Sequence, residues 1–139
     1  SSTPRNAYIL YNSNCVWLLP GILVSPLASI RYDDTSMRSR IGYVIAHELA
    51  HIATFSPLST WDWNFATQLM ANYTSSTYTE AAADLIAVSS LRGLVSDDKL
   101  CSHTSQLWAA SPAGYGTQGP SPHPVMNLRG DNLCFFLFR

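Results

Sequence analysis

His47-Glu48-Leu49-Ala50-His51 spells the HExxH pattern. Residues four apart share one face of a helix, so His47 and His51 can bind one Zn²⁺ at about 2.0–2.1 Å. Glu48 then stands beside the metal without ligating it, placed to take a proton from water. The plainer alternative is two core histidines around a surface glutamate, since the pattern arises by chance. Glu80 supplies what that alternative leaves unexplained. Catalytic zinc takes three protein ligands and keeps one position open, and Glu serves as the third ligand beside two His. Asp84 follows Glu80 by one helical turn. A carboxylate there can accept the second N–H of a ligating histidine and fix its tautomer. A helix N-terminus that simply carries acids is the competing explanation for this pair.

These side chains need two helices to bring them together. Ile41, Val44, Ile45, Ala46, Leu49 and Ile52 recur near helical spacing, which predicts a helix from the Asp33–Ser36 caps to about Thr54. Ala81-Ala82-Ala83 favours a second helix from about Ser76 to Leu94, with Gly93 near its end. A third is expected from Ser96-Asp97 to about Ala110. Ala7–Tyr11 and Cys15–Leu19 read as two short strands around the turn Asn12-Ser13-Asn14. Ser111–Pro124, rich in Gly and Pro, reads as a loop, and Asp131–Phe138 is apolar enough to be buried. The expected fold is α+β, mostly helical, with a small N-terminal edge sheet.

In this order the motifs resemble the gluzincin metallopeptidases, and most of all the neprilysin family. HExxH followed by ExxxD is shared with thermolysin and marks the clan. Asn6-Ala7-Tyr8 is similar to the edge-strand segment with which neprilysin-like enzymes hold the substrate backbone. Leu19-Pro20-Gly21-Ile22-Leu23 resembles their Pro-Ala-Gly-Ile-Leu segment, and Ile41 to Ala46 their approach to HExxH. His123 and Arg129, six apart, match a His and Arg pair near that family's C-terminus. The resemblance implies a thermolysin-like zincin catalytic lobe and a zinc endopeptidase with one Zn²⁺ per chain. It implies that His47, His51 and Glu80 ligate zinc, Glu48 is the general base and Asp84 orients a ligating histidine. It further implies that His123 hydrogen-bonds the oxyanion, Arg129 binds a substrate carbonyl, and Asn6 and the Ala7 backbone pair with the peptide substrate. Cleavage before an apolar residue is the preference it suggests. Read without the resemblance, His123 is a loop histidine and Arg129 a surface charge.

The family's large helical lobe roofing the site has no counterpart in these 139 residues, and only 28 residues separate His51 from Glu80. The Gly pair usual after the orienting Asp is replaced by Leu85-Ile86, and the family's Cys-x-x-Trp ending is missing. The expectation is a single zincin-like domain over 1–139, a minimal or partial version of a longer architecture. A companion segment or chain would then cover the site. With 47% hydrophobic and 12% charged residues, the charged share is about half the usual one, which fits surface covered by a partner. A net charge of −1 leaves no footprint for nucleic acid or an anionic membrane, and together with the high apolar content it excludes disorder. No apolar run is long enough to span a membrane. The opening Ser1-Ser2 suggests a chain that is processed, trimmed or excised. Together with the sequon Asn72-Tyr73-Thr74 it points to a secreted protein or an ectodomain. Cys15, Cys101 and Cys134 allow one internal pair plus a thiol, or bridges to a companion. His103 has no partner pattern and is expected to be structural or surface-exposed, and Trp61, Trp63 and Trp108 are expected in the core. Two other functions compete with the endopeptidase: a zinc-binding but catalytically idle pseudo-protease, and a metal-free interaction domain.

Overall fold

The structure, a computed structural model, describes residues 7–10, 15–23, 27–53, 75–109 and 126–138. Strands β1 (Ala7–Leu10) and β2 (Cys15–Leu18) pair antiparallel with Ala7 opposite Leu18 and Leu10 opposite Cys15. This is the expected N-terminal hairpin. A single 3-10 turn, Pro20–Ile22, follows it. Five helices make up most of the described residues: α1 (Asp34–Ser39), α2 (Ile41–Ala53), α3 (Ser75–Leu91), α4 (Asp97–Ala109) and α5 (Met126–Leu137). The molecule is therefore mostly helical, and no described helix is long and apolar enough to cross a membrane.

The helix expected from the Asp33 cap to Thr54 is broken in two. Asp33 caps α1, its Oδ1 accepting the Ser36 N–H at 2.7 Å. At Arg40 the backbone leaves helical angles (φ −107°, ψ −92°). The Ile41 N–H is donated to the Leu27 carbonyl at 3.1 Å rather than back along the helix. That tertiary bond accompanies the break, and α2 runs on from Ile41 through HExxH. α3 stops at Leu91, three residues before the expected end. There Leu94 and Val95 both donate to the Leu91 carbonyl, and Gly93 takes φ +90°. The left-handed conformation is available to glycine at no steric cost, so the turn is placed there. Ser96 caps α4, its Oγ accepting the Lys99 N–H at 3.3 Å. The closing segment forms α5, which buries Leu133, Phe136 and Leu137 and exposes Phe135, and Phe138 just past its end is exposed too.

Packing runs in a closed circuit: α2 on α3, α3 on α5, α5 on α4, α4 on α1, and α1 back on α2, with the hairpin against α2. α3 is the central element. Ala81, Ala82, Ala83, Leu85, Ala87, Val88 and Leu91 are all buried, and a helix apolar on nearly every side belongs inside. Its alanines let α2 come close enough for short side chains to meet across the gap. Tyr43 from α2, Leu100 and Leu107 from α4, and Leu133 from α5 complete the core. Gly130 lets α5 approach α4, since a Cβ there would sit 3.2 Å from the Ser105 Cα. One turn further on, Cys134 is bonded to Cys101 of α4. An internal pair is thus formed, and Cys15 stands outside it with an exposed side chain.

Candidate metal centre

His47, His51 and Glu80 come together at the α2–α3 contact. His47 Nε2 lies 2.9 Å from Glu80 Oε2, and His51 Nε2 lies 3.3 Å from Glu80 Oε1. The two Nε2 atoms are 3.2 Å apart, and their rings cross at 86°. Ligands at about 2.0–2.1 Å from one tetrahedral ion are spaced by about 3.3–3.4 Å. The three separations approach that spacing, slightly contracted. Both histidines are buried and Glu80 is nearly so. Among the described residues this is the group of side chains able to hold a metal ion, all its ligand atoms lying within 4.8 Å of one another.

The chemistry of the donors favours a cation at the same point. His47 donates its Nδ1–H to Asp84 Oδ1 at 2.7 Å, which leaves a lone pair on Nε2 of the neutral ring. That lone pair faces a carboxylate. Acceptors converging in a buried place are stable only around positive charge, a proton or a metal ion. Within this set of side chains, burial works to push the His47 pKa down. The Asp84 charge and the hydrogen bonds to Asp84 and Glu80 outweigh it and raise the pKa to about 9. A metal ion at this point would compete with that proton, so its binding would release it.

Asp84 sits at the centre of a buried network behind His47. Arg129 of α5 forks onto it, Nε to Oδ2 and Nη2 to Oδ1, both at 2.7 Å. Tyr43 donates its hydroxyl to Oδ1 at 2.6 Å. Burial works to raise the Asp84 pKa, but the Arg129 guanidinium and His47 hold it well below the usual carboxylate range. The same pairing keeps Arg129 charged against its own burial. Arg129, 2% exposed, is a core residue and not the surface charge its sequence context suggests. Glu48 is half-buried on α2, immediately after His47. Ala7 lies in β1, whose second edge pairs with no strand among the described residues. Asn6, His123, Trp61 and Trp63 lie outside the described residues, as does the side chain of Trp108.

Tyr43 escaped the sequence reading, although its spacing was visible. Tyr43, His47 and His51 follow one another at intervals of four on a single helix face. His103 turns out to be structural: its Nδ1 shares a hydrogen bond with the buried Ser39 Oγ, joining α4 to α1. Comparison with protein families, curated proteins and solved structures found no match to this chain.

Proposed function

We propose that the chain is a zinc-binding hydrolase of the HExxH-plus-glutamate kind. More narrowly, it is a zinc endopeptidase of neprilysin type, with a thermolysin-like catalytic lobe. The observation that carries this reading is the convergence of His47 Nε2, His51 Nε2 and the Glu80 carboxylate at 2.9–3.3 Å. Asp84 holds the far nitrogen of His47. His47, His51 and Glu80 would hold one zinc ion, whose chemistry when bound is Lewis acidity toward a carbonyl oxygen and a lowered pKa for water.

The chain's own residues do the rest. Glu48 accepts the proton of the attacking water at its carboxylate and passes it to the amide nitrogen that leaves. His123 donates a hydrogen bond to the oxyanion, a contribution of about 3–4 kcal/mol where such donors have been removed from other enzymes. Asn6 and the Ala7 backbone hold the peptide as an added strand, for which the second edge of β1 is suited. To bind a substrate carbonyl, Arg129 would share the guanidinium already forked on Asp84. Leu49, on the face of the motif helix opposite His47 and His51, is 48% exposed and Trp17 is 50% exposed, apolar surface that suits contact with a companion segment. The Cys101–Cys134 bond favours a secreted or ectodomain setting, where disulfides persist.

The burial of Arg129 favours a second reading, a zinc-binding but catalytically idle module. One experiment separates the two. Zinc stoichiometry and chelator-sensitive cleavage of a mixed peptide library are measured for wild type and Glu48→Gln. The endopeptidase reading expects one zinc per chain in both proteins and cleavage in wild type alone. Zinc without cleavage in either selects the idle module. Equal cleavage by both removes Glu48 from the mechanism.

A further inference from the structure

Asp84 carries more donors than orienting one histidine requires. Its Oδ1 accepts from His47 Nδ1, Arg129 Nη2 and the Tyr43 hydroxyl, all within 2.7 Å, while Oδ2 accepts from Arg129 Nε. The donors pull from two sides. Arg129 grips both oxygens from α5, and a bidentate guanidinium is the strongest partner a carboxylate has here. Tyr43 and His47 pull from α2, one turn apart. Left to Arg129 and His47, the carboxylate would settle toward the fork, and the single bond to His47 would lengthen. The Tyr43 hydroxyl opposes that pull beside the His47 bond. Its ring is 0% exposed and stands 6.5 Å from the His47 ring, tilted by 55°.

We infer that Tyr43 is a positioning residue of the metal centre: its hydroxyl holds the Asp84 carboxylate against His47 and so fixes where His47 Nε2 points. The inference rests on the reading of His47, His51 and Glu80 as zinc ligands. Partners behind a ligating histidine govern metal affinity as well as ring orientation. Tyr43→Phe removes one oxygen and keeps the ring that fills the core.

Zinc affinity is measured by competition with a chromophoric chelator for wild type, Tyr43→Phe, Asp84→Asn and the double variant. Tyr43→Phe is expected to raise the zinc Kd by about tenfold, the lower end for such partners. On the Asp84→Asn background the same change should cost less than about twofold, because Tyr43 acts through Asp84. The His47 Nδ1–H resonance of the metal-free protein should exchange with water faster in Tyr43→Phe, with the far-UV circular dichroism unchanged. A Kd within about twofold of wild type, or equal losses on both backgrounds, would overturn the inference. If wild type takes up no zinc, the ligand reading itself fails. The Nδ1–H exchange rate then decides the Tyr43 inference alone, unchanged exchange counting against it.

Discussion

Among the described residues the same Arg–Asp fork occurs twice, in opposite surroundings. Arg129 forks onto Asp84 with side chains 2% and 4% exposed. Arg92 forks onto Asp97 through the same two nitrogens, at 3.2 and 3.0 Å, with side chains 40% and 33% exposed. The exposed pair ties the end of α3 to the first turn of α4, and Arg92 also reaches the Leu137 carbonyl. Water screens such a pair, and its net worth is small. The buried pair has lost its water, and each charge depends on the other for its compensation. Apolar residues of similar volume can replace a buried pair at little cost in stability. What the buried fork provides that a greasy contact cannot is an oriented carboxylate behind His47. The difference separates a polar contact that tidies a helix junction from one that holds a carboxylate against His47.

The comparison breaks most visibly at Asp84. Asp84→Ala strands a buried guanidinium and should cost about 3–5 kcal/mol in urea unfolding of the metal-free protein. Replacing both partners, Asp84→Leu with Arg129→Met, should recover much of that stability while leaving zinc binding about 10–100-fold weaker. Recovery of both would mean that the fork serves packing alone. At the exposed pair, Asp97→Ala should cost no more than about 1 kcal/mol, with zinc affinity unmoved. A loss as large as that at Asp84 would erase the distinction.

The smallest effect belongs to His103. Partial burial lowers its pKa, as do Arg40 and Lys99, against a weaker opposing pull from Asp33. A base whose folded pKa is depressed contributes its stability above the unfolded pKa, about 6.5, and loses it as pH falls through the folded value. Melting temperatures of metal-free wild type should therefore fall slightly faster than those of His103→Gln from pH 7 toward pH 5. Parallel curves would remove His103 from the acid response.

What could be read from the residues was what helical geometry alone decides. His47 and His51 lie on one face because they are four apart, and Asp84 follows Glu80 by a turn for the same reason. The alanines that bring α3 against α2 were visible as helix formers, though their buried face became clear only in the fold. What stayed hidden depends on distant partners. The break at Arg40 needs the Leu27 carbonyl, and the burial of Arg129 needs α5 to lie on α3. Spacing says nothing about either. The pairing of Cys101 with Cys134 belongs with them, since it follows from the contact between α4 and α5.

That disulfide joins residues 33 apart, and Arg129 lies inside the span it closes. A single protease cut anywhere between the two cysteines would sever the main chain yet release nothing. Such nicked molecules would run as one band on a non-reducing gel and as two after reduction. Whenever the cut fell before Met126, the piece carrying Arg129 would stay fastened to α4, within reach of Asp84.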